Sequence, residues 1–96
     1  MLDRLEEEVG LLIKLAKNIK KSIHTPYRRE TLELKLQYAE DLFDDIEATF
    51  LECKAEIPQE NLNFLIRASR EALYSIKTII KSKLELLEEK NKIAVA

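Results

Sequence analysis

The stretch PQENLNFLIRASREALYSIKTIIKSKLELLEEKNK, residues 58–92, decides the fold. From Leu62 its apolar residues fall at alternating steps of four and three through Ile66, Leu73, Ile76, Ile80 and Leu87, and only Ser69 and Lys83 interrupt the series. A second row, Leu65, Ala72, Ile79 and Leu86, runs one position ahead of the first. The apolar arc is therefore wider than the stripe of a two-stranded coiled coil. Such a helix requires two neighbours, or one neighbour and a partner chain.

Working outward, Pro58 ends whatever precedes it, because it lacks an N–H and disfavours helical geometry at Ile57. Upstream, Leu32, Leu36, Ala39, Phe43, Ile46, Phe50, Cys53 and Ile57 form a second seam, widened on one side by Leu42. With so few residues between the two seams the connection is a sharp turn, and an antiparallel hairpin follows. Thr25-Pro26 reads as an N-cap followed by proline at the first helical position. Before it, Leu2, Leu5, Val9, Leu12, Ala16, Ile19 and Ile23 make a first helix without a miss. Gly10 inside that helix costs roughly 1 kcal/mol against alanine, so close approach of a neighbouring backbone is expected there.

The expected fold is all-α: an antiparallel three-helix bundle with coiled-coil-like heptad packing, long second and third helices, and the third helix central. Residues 1–96 make one domain, with helices at about 2–23, 26–57 and 59–92. Ninety-six residues leave no room for a second core, and one Gly with two Pro suits long helices with few turns. A first helix shorter than the hairpin would leave apolar surface uncovered. Leu11 and Leu15 on the first helix and Leu84 and Leu87 on the third are the expected protein interface. Leu86, Leu34 and Tyr38 are further candidates. Ile93 to Ala96 carry no cap or turn signal and read as a lead into more chain.

Charge is unevenly placed. The net is −3 over residues 1–13, +6 over 14–29, −8 over 30–60 and +3 over 61–96, or −2 in total. That total argues against a general nucleic-acid binder. The run Lys14, Lys17, Lys20, Lys21, Arg28 and Arg29 is nevertheless a candidate anion-binding patch for nucleic acid or anionic lipid. Its plainer role is to neutralise the acidic second helix, where Glu40, Asp41, Asp44 and Asp45 form a solvated face. A di-metal bundle would need Glu-x-x-His pairs, and His24 is the only histidine.

No motif implies a cofactor, a metal or a small-molecule substrate, and the chain is expected to be non-enzymatic. His24 has no nucleophile beside it in sequence, and Cys53 reads as a small buried hydrophobe. One cysteine, no signal-peptide pattern and no apolar run of membrane-spanning length give an intracellular, cytoplasmic expectation.

The stretch RRETLELKLQYAEDLFDDIEATF, residues 28–50, resembles the N-terminal helical region of Gag polyproteins from LTR retrotransposons of the insect gypsy type. In that pattern a basic start precedes a helix in which Leu, a Leu-Phe or Leu-Trp pair and a later Phe recur among acidic residues. Leu36, Leu42, Phe43 and Phe50 match those positions. The similarity extends through Glu56 and the helix after Pro58, about two-thirds of the chain. It implies a structural, self-associating domain within a capsid-like particle. Departing from the pattern, the chain has no capsid-like segment and no zinc knuckle, which leaves a fragment or a domesticated remnant.

The function expected is thus protein–protein assembly, with self or a partner protein helix. The alternatives are a matrix-like module contacting anionic lipid or RNA through residues 14–29, or an adaptor bundle binding a partner helix.

Overall fold

A computed structural model describes residues 2–22 and 27–95, with side chains through residue 89. Three helices pack pairwise into an all-α bundle: α1 (Leu2–Lys21), α2 (Arg29–Cys53) and α3 (Gln59–Val95). Both α1 and α2 pack more extensively on α3 than on each other, so α3 is the central helix. Two ion pairs set the direction of the hairpin. Glu40 meets Lys77 at 3.9 Å and Arg29 meets Glu88 at 3.6 Å, so α2 runs down as α3 runs up. The first helix is parallel to α3, with Lys83 Nζ donating to the Ser22 carbonyl at 3.3 Å.

The seams bury as their spacing requires. Leu5, Val9, Leu12, Ala16 and Ile19 of α1 face Leu62, Ile66, Ile76 and Ile80 of α3, with Leu32, Ala39, Leu42, Ile46 and Cys53 closing the core from α2. The positions that interrupt the pattern lie in the same seams. Ser69 is fully buried, and its hydroxyl donates to the Ile66 carbonyl one turn back at 2.8 Å. Lys83 is half-buried. Its ammonium lies against a carbonyl at the end of α1, where the helix dipole favours a cation, and 5.1 Å from the centre of the Tyr27 ring.

Thr49 continues the row that Leu42 begins, buried between α1 and α2. Its hydroxyl donates to Glu8 Oε1 at 2.9 Å, and the same carboxylate takes Arg4 Nε at 3.0 Å. Among the described residues no buried side-chain nitrogen or oxygen lacks a partner. Thr49→Val keeps the shape and removes the donor beneath a mostly covered carboxylate. The expected cost is about 1–2 kcal/mol, net of the apolar gain. A urea midpoint equal to or above that of the wild type would show that the Glu8 bond contributes nothing.

Several boundaries differ from the expected ones. The second helix begins at Arg29, not at residue 26, since Arg28 is extended (φ −74°, ψ 149°) and serves as N-cap without a side-chain bond. Tyr27 explains the delay: its ring packs on the core and holds the entering chain outside the helix. Ile23, His24 and the Thr25-Pro26 pair fall outside the described residues. At its other end α2 stops at Cys53 rather than Ile57. The N–H groups of Glu56 and Ile57 both turn back to the Cys53 carbonyl, at 3.0 and 3.2 Å, so the restriction that Pro58 imposes is met by unwinding one turn early. The third helix runs on to Val95, past the expected residue 92.

The helices are thus 20, 25 and 37 residues long, or roughly 30, 38 and 56 Å. The shorter α2 narrows its excess over α1 to about 8 Å, while α3 overreaches α1 by about 26 Å, so the expected mismatch stands, chiefly at the C-terminal end of α3.

Gly10 departs from expectation in its surroundings. It is exposed, and a Cβ built on it meets nothing within 4 Å, so no backbone approaches it. Only the entropic cost of a helical glycine remains. Gly10→Ala is expected to stabilise the bundle by about 0.5–1 kcal/mol, read as a higher urea midpoint at constant slope. A destabilised Ala variant would mean that a neighbour does fill that space.

Candidate interaction surface

Several of the apolar side chains that the core leaves uncovered fall along the two edges where α1 meets α2 and α3. The contact between Glu8 and Thr49 marks the flanks on which α1 and α2 face each other. On α1, Leu11 and Leu15 follow Glu8 by one and two turns; on α2, Asp45, Tyr38 and Leu34 precede Thr49 on the same flank. Leu11 is 45% exposed, Tyr38 53% and Leu34 71%, while Leu15 is half-buried against the core. Leu34, Tyr38, Asp41 and Asp45, at helical steps of four, three and four, make one ridge with apolar and acidic halves.

The other edge of α1 meets α3. There Ile13 and Ala16 lie across from Ala68 and Ala72, forming the floor of an open groove of about 300 Å³. Lys17 and Lys20 rim it on the α1 side and Glu71 on the α3 side. Small residues make the groove: with alanine at three of these positions, neither wall fills it. Toward the N-terminal end of α1 a second depression lies beside Glu6, Leu65 and Phe64, whose ring is 72% exposed. At the far end Leu86, beyond Lys83 and the level at which α1 ends, is 59% exposed.

Of the four interface positions expected from sequence, Leu11 is the one left open. Leu15, Leu84 and Leu87 are half-buried and pack on the core. Tyr27, also half-buried, packs on the same core. The open side chains that the heptad reading did not single out are Phe64, Tyr74 and Leu51. Phe64 is off both rows of α3, where no periodicity marks it as facing a groove.

The basic run divides. Arg29 is engaged, with Nε on Glu33 at 3.0 Å and a guanidinium nitrogen 3.6 Å from Glu88. The hydrogen bond and charge of Glu33, with the charge of Glu88 added, hold its pKa above the ordinary arginine value. Lys14, Lys17, Lys20 and Lys21 are exposed, and among the described residues no carboxylate lies within 4 Å of their ammonium groups. Arg28 is exposed beside α2. Among the described residues the acidic face of α2 meets a cation at Glu40 alone, whose pair with Lys77 is open to solvent and worth about 0–1 kcal/mol. Among the described residues the lysines of α1 thus make no close ion pair with α2.

Cys53 is fully buried, its thiol among apolar neighbours. No group of three or more His, Cys, Asp or Glu side chains among the described residues is placed to hold a metal ion. No helix, over the same residues, is long and apolar enough to cross a membrane.

Fold and surface together define a three-helix bundle with an acidic-apolar ridge on one edge of α1 and a lysine-rimmed apolar groove on the other. No family model matches the chain, and no curated protein or solved structure is significantly similar to it.

Proposed function

We propose that this chain is a non-enzymatic assembly domain that self-associates through apolar side chains its own core leaves uncovered. One observation carries the reading: Leu11, Leu34, Tyr38, Phe64 and Leu86 are open along the edges of α1 and its continuation on α3, while Leu51 and Tyr74 are open elsewhere. Single exposed apolar residues need no explanation, whereas aligned ones mark partner sites. In a Gag-like structural protein such a domain brings chains together in a cytoplasmic, capsid-like particle, which is the setting that the resemblance of residues 28–50 implies.

The test is sedimentation velocity over a wide concentration range. The weight-average sedimentation coefficient is expected to rise with concentration; a constant value for a chain of 11.2 kDa contradicts self-association.

A second reading has its own observation, the lysines of α1 without carboxylate partners. Contact with anionic lipid or RNA through Lys14, Lys17, Lys20 and Lys21 would weaken steeply with added salt. Salt-insensitive binding, or none, to anionic vesicles and to RNA disposes of it.

A further inference from the structure

The occupant of the groove between α1 and α3 can be named from the charge and shape of the molecule itself. We propose that the groove receives the ridge of α2 from a second copy of this chain, Leu34 and Tyr38 entering the apolar floor while Asp41 and Asp45 meet Lys17 and Lys20. This inference rests on the assembly reading above and specifies its interface.

Two features of the two surfaces agree. In chemistry, the ridge offers two large apolar side chains, 71% and 53% exposed, and the groove offers a floor of Ile13, Ala16, Ala68 and Ala72 with room above it. In charge, Lys17 and Lys20 have no carboxylate within 4 Å, and Asp41 and Asp45 no cation, among the described residues. Asp41 takes only the Gln37 amide, at 2.9 Å. Glu71 on the opposite wall repels the acidic half of the ridge, which fixes the side on which the aspartates lie.

Ridge and groove lie on different sides of the bundle. The contact is consequently heterologous, each copy giving its ridge to one neighbour and its groove to another, and assembly proceeds head to tail instead of stopping at a two-fold dimer.

Two double variants test this by complementation. Lys17→Glu with Lys20→Glu removes the groove's charge and keeps the ridge; Asp41→Lys with Asp45→Lys does the reverse. All four side chains are exposed, and circular dichroism verifies that each variant is folded. Each alone is expected to associate at least about tenfold more weakly than the wild type, since like charges now face each other. An equimolar mixture is expected to regain assembly beyond the 11.2 kDa chain, because the native ridge of one variant meets the native groove of the other and the two charge-reversed surfaces are complementary as well.

Variants that assemble like the wild type overturn the ridge–groove contact while leaving self-association standing. So does a mixture that stays monomeric. A wild type that is monomeric at every concentration overturns self-association itself. Loss of binding to RNA or anionic vesicles in the lysine variant, with unchanged mass, assigns Lys17 and Lys20 to a polyanion and also overturns the contact. Should a variant fail to fold, the wild type answers alone. Its association is expected to weaken as salt rises from about 0.1 M to about 1 M, the Debye length falling from ~10 to ~3 Å; unchanged or stronger association overturns the proposal.

Discussion

Replacing Leu34 and Tyr38 together by glutamate is expected to leave the bundle folded and to remove its self-association. Both side chains already face solvent over more than half of their surface, so the folded chain loses little when they become polar. An interface built on them loses its apolar anchors. Aromatic anchors at the centre of an interface are commonly worth about 2 kcal/mol or more each, and one such loss weakens association roughly thirty-fold. Added negative charge beside Asp41 and Asp45 increases the loss. Sedimentation of the variant beside the wild type, with helicity checked by circular dichroism, measures it. A folded variant that associates as tightly as the wild type would remove this edge of α1 from the interface.

The largest effect on stability is expected inside α3. Ile76 is fully buried in the middle of the central helix, and Ile76→Ala should cost about 2–5 kcal/mol, the range for truncating a packed isoleucine. Domains of this size are stable by only about 5–15 kcal/mol, and at this length each kcal/mol moves the melting temperature by about 4–8 °C. A fall of ten degrees or more is the expected result in a thermal melt. A shift of a degree or two would mean that α3 is not the element around which the core is packed. Association stabilises the folded form by mass action, so the melt belongs at a concentration where the wild type is monomeric.

The sequence made the helices legible because burial of a helix face imposes a spacing on apolar residues that loops do not imitate. Every described member of the α1 series is buried or half-buried. Spacing by hydrophobicity was silent where polar residues occupy the same faces. Thr49 is as deeply buried as its leucine neighbours, and only the Leu42 row, carried forward by seven residues, points to it. Ser69 and Lys83 looked like interruptions and are part of the packing, one satisfied by its own helix and the other by the end of α1.

The ends of α2 were less legible. Tyr27 packed on the core ahead of an extended Arg28 leaves no local signal, and Pro58 gives the latest residue at which a helix can end, not the residue where this one does. The same limit applies to the surface. Leu84 and Leu87 share their pattern with open residues, and their half-burial comes from packing on the core. Lys17 and Lys20 read as half of an internal charge balance until the fold turned them away from α2 and onto the groove.

The measurement that bears most directly on the central claim is absolute molar mass by light scattering of the wild type as it leaves a sizing column, at the highest concentration it tolerates. Elution volume alone would mislead, since a bundle 59 Å long and 20 by 16 Å across elutes early even as a monomer. The expected result is a mass well above 11.2 kDa that falls across the trailing edge of the peak as the chain dilutes. A mass of 11.2 kDa across the whole peak, at every load, would contradict assembly as the work of this domain.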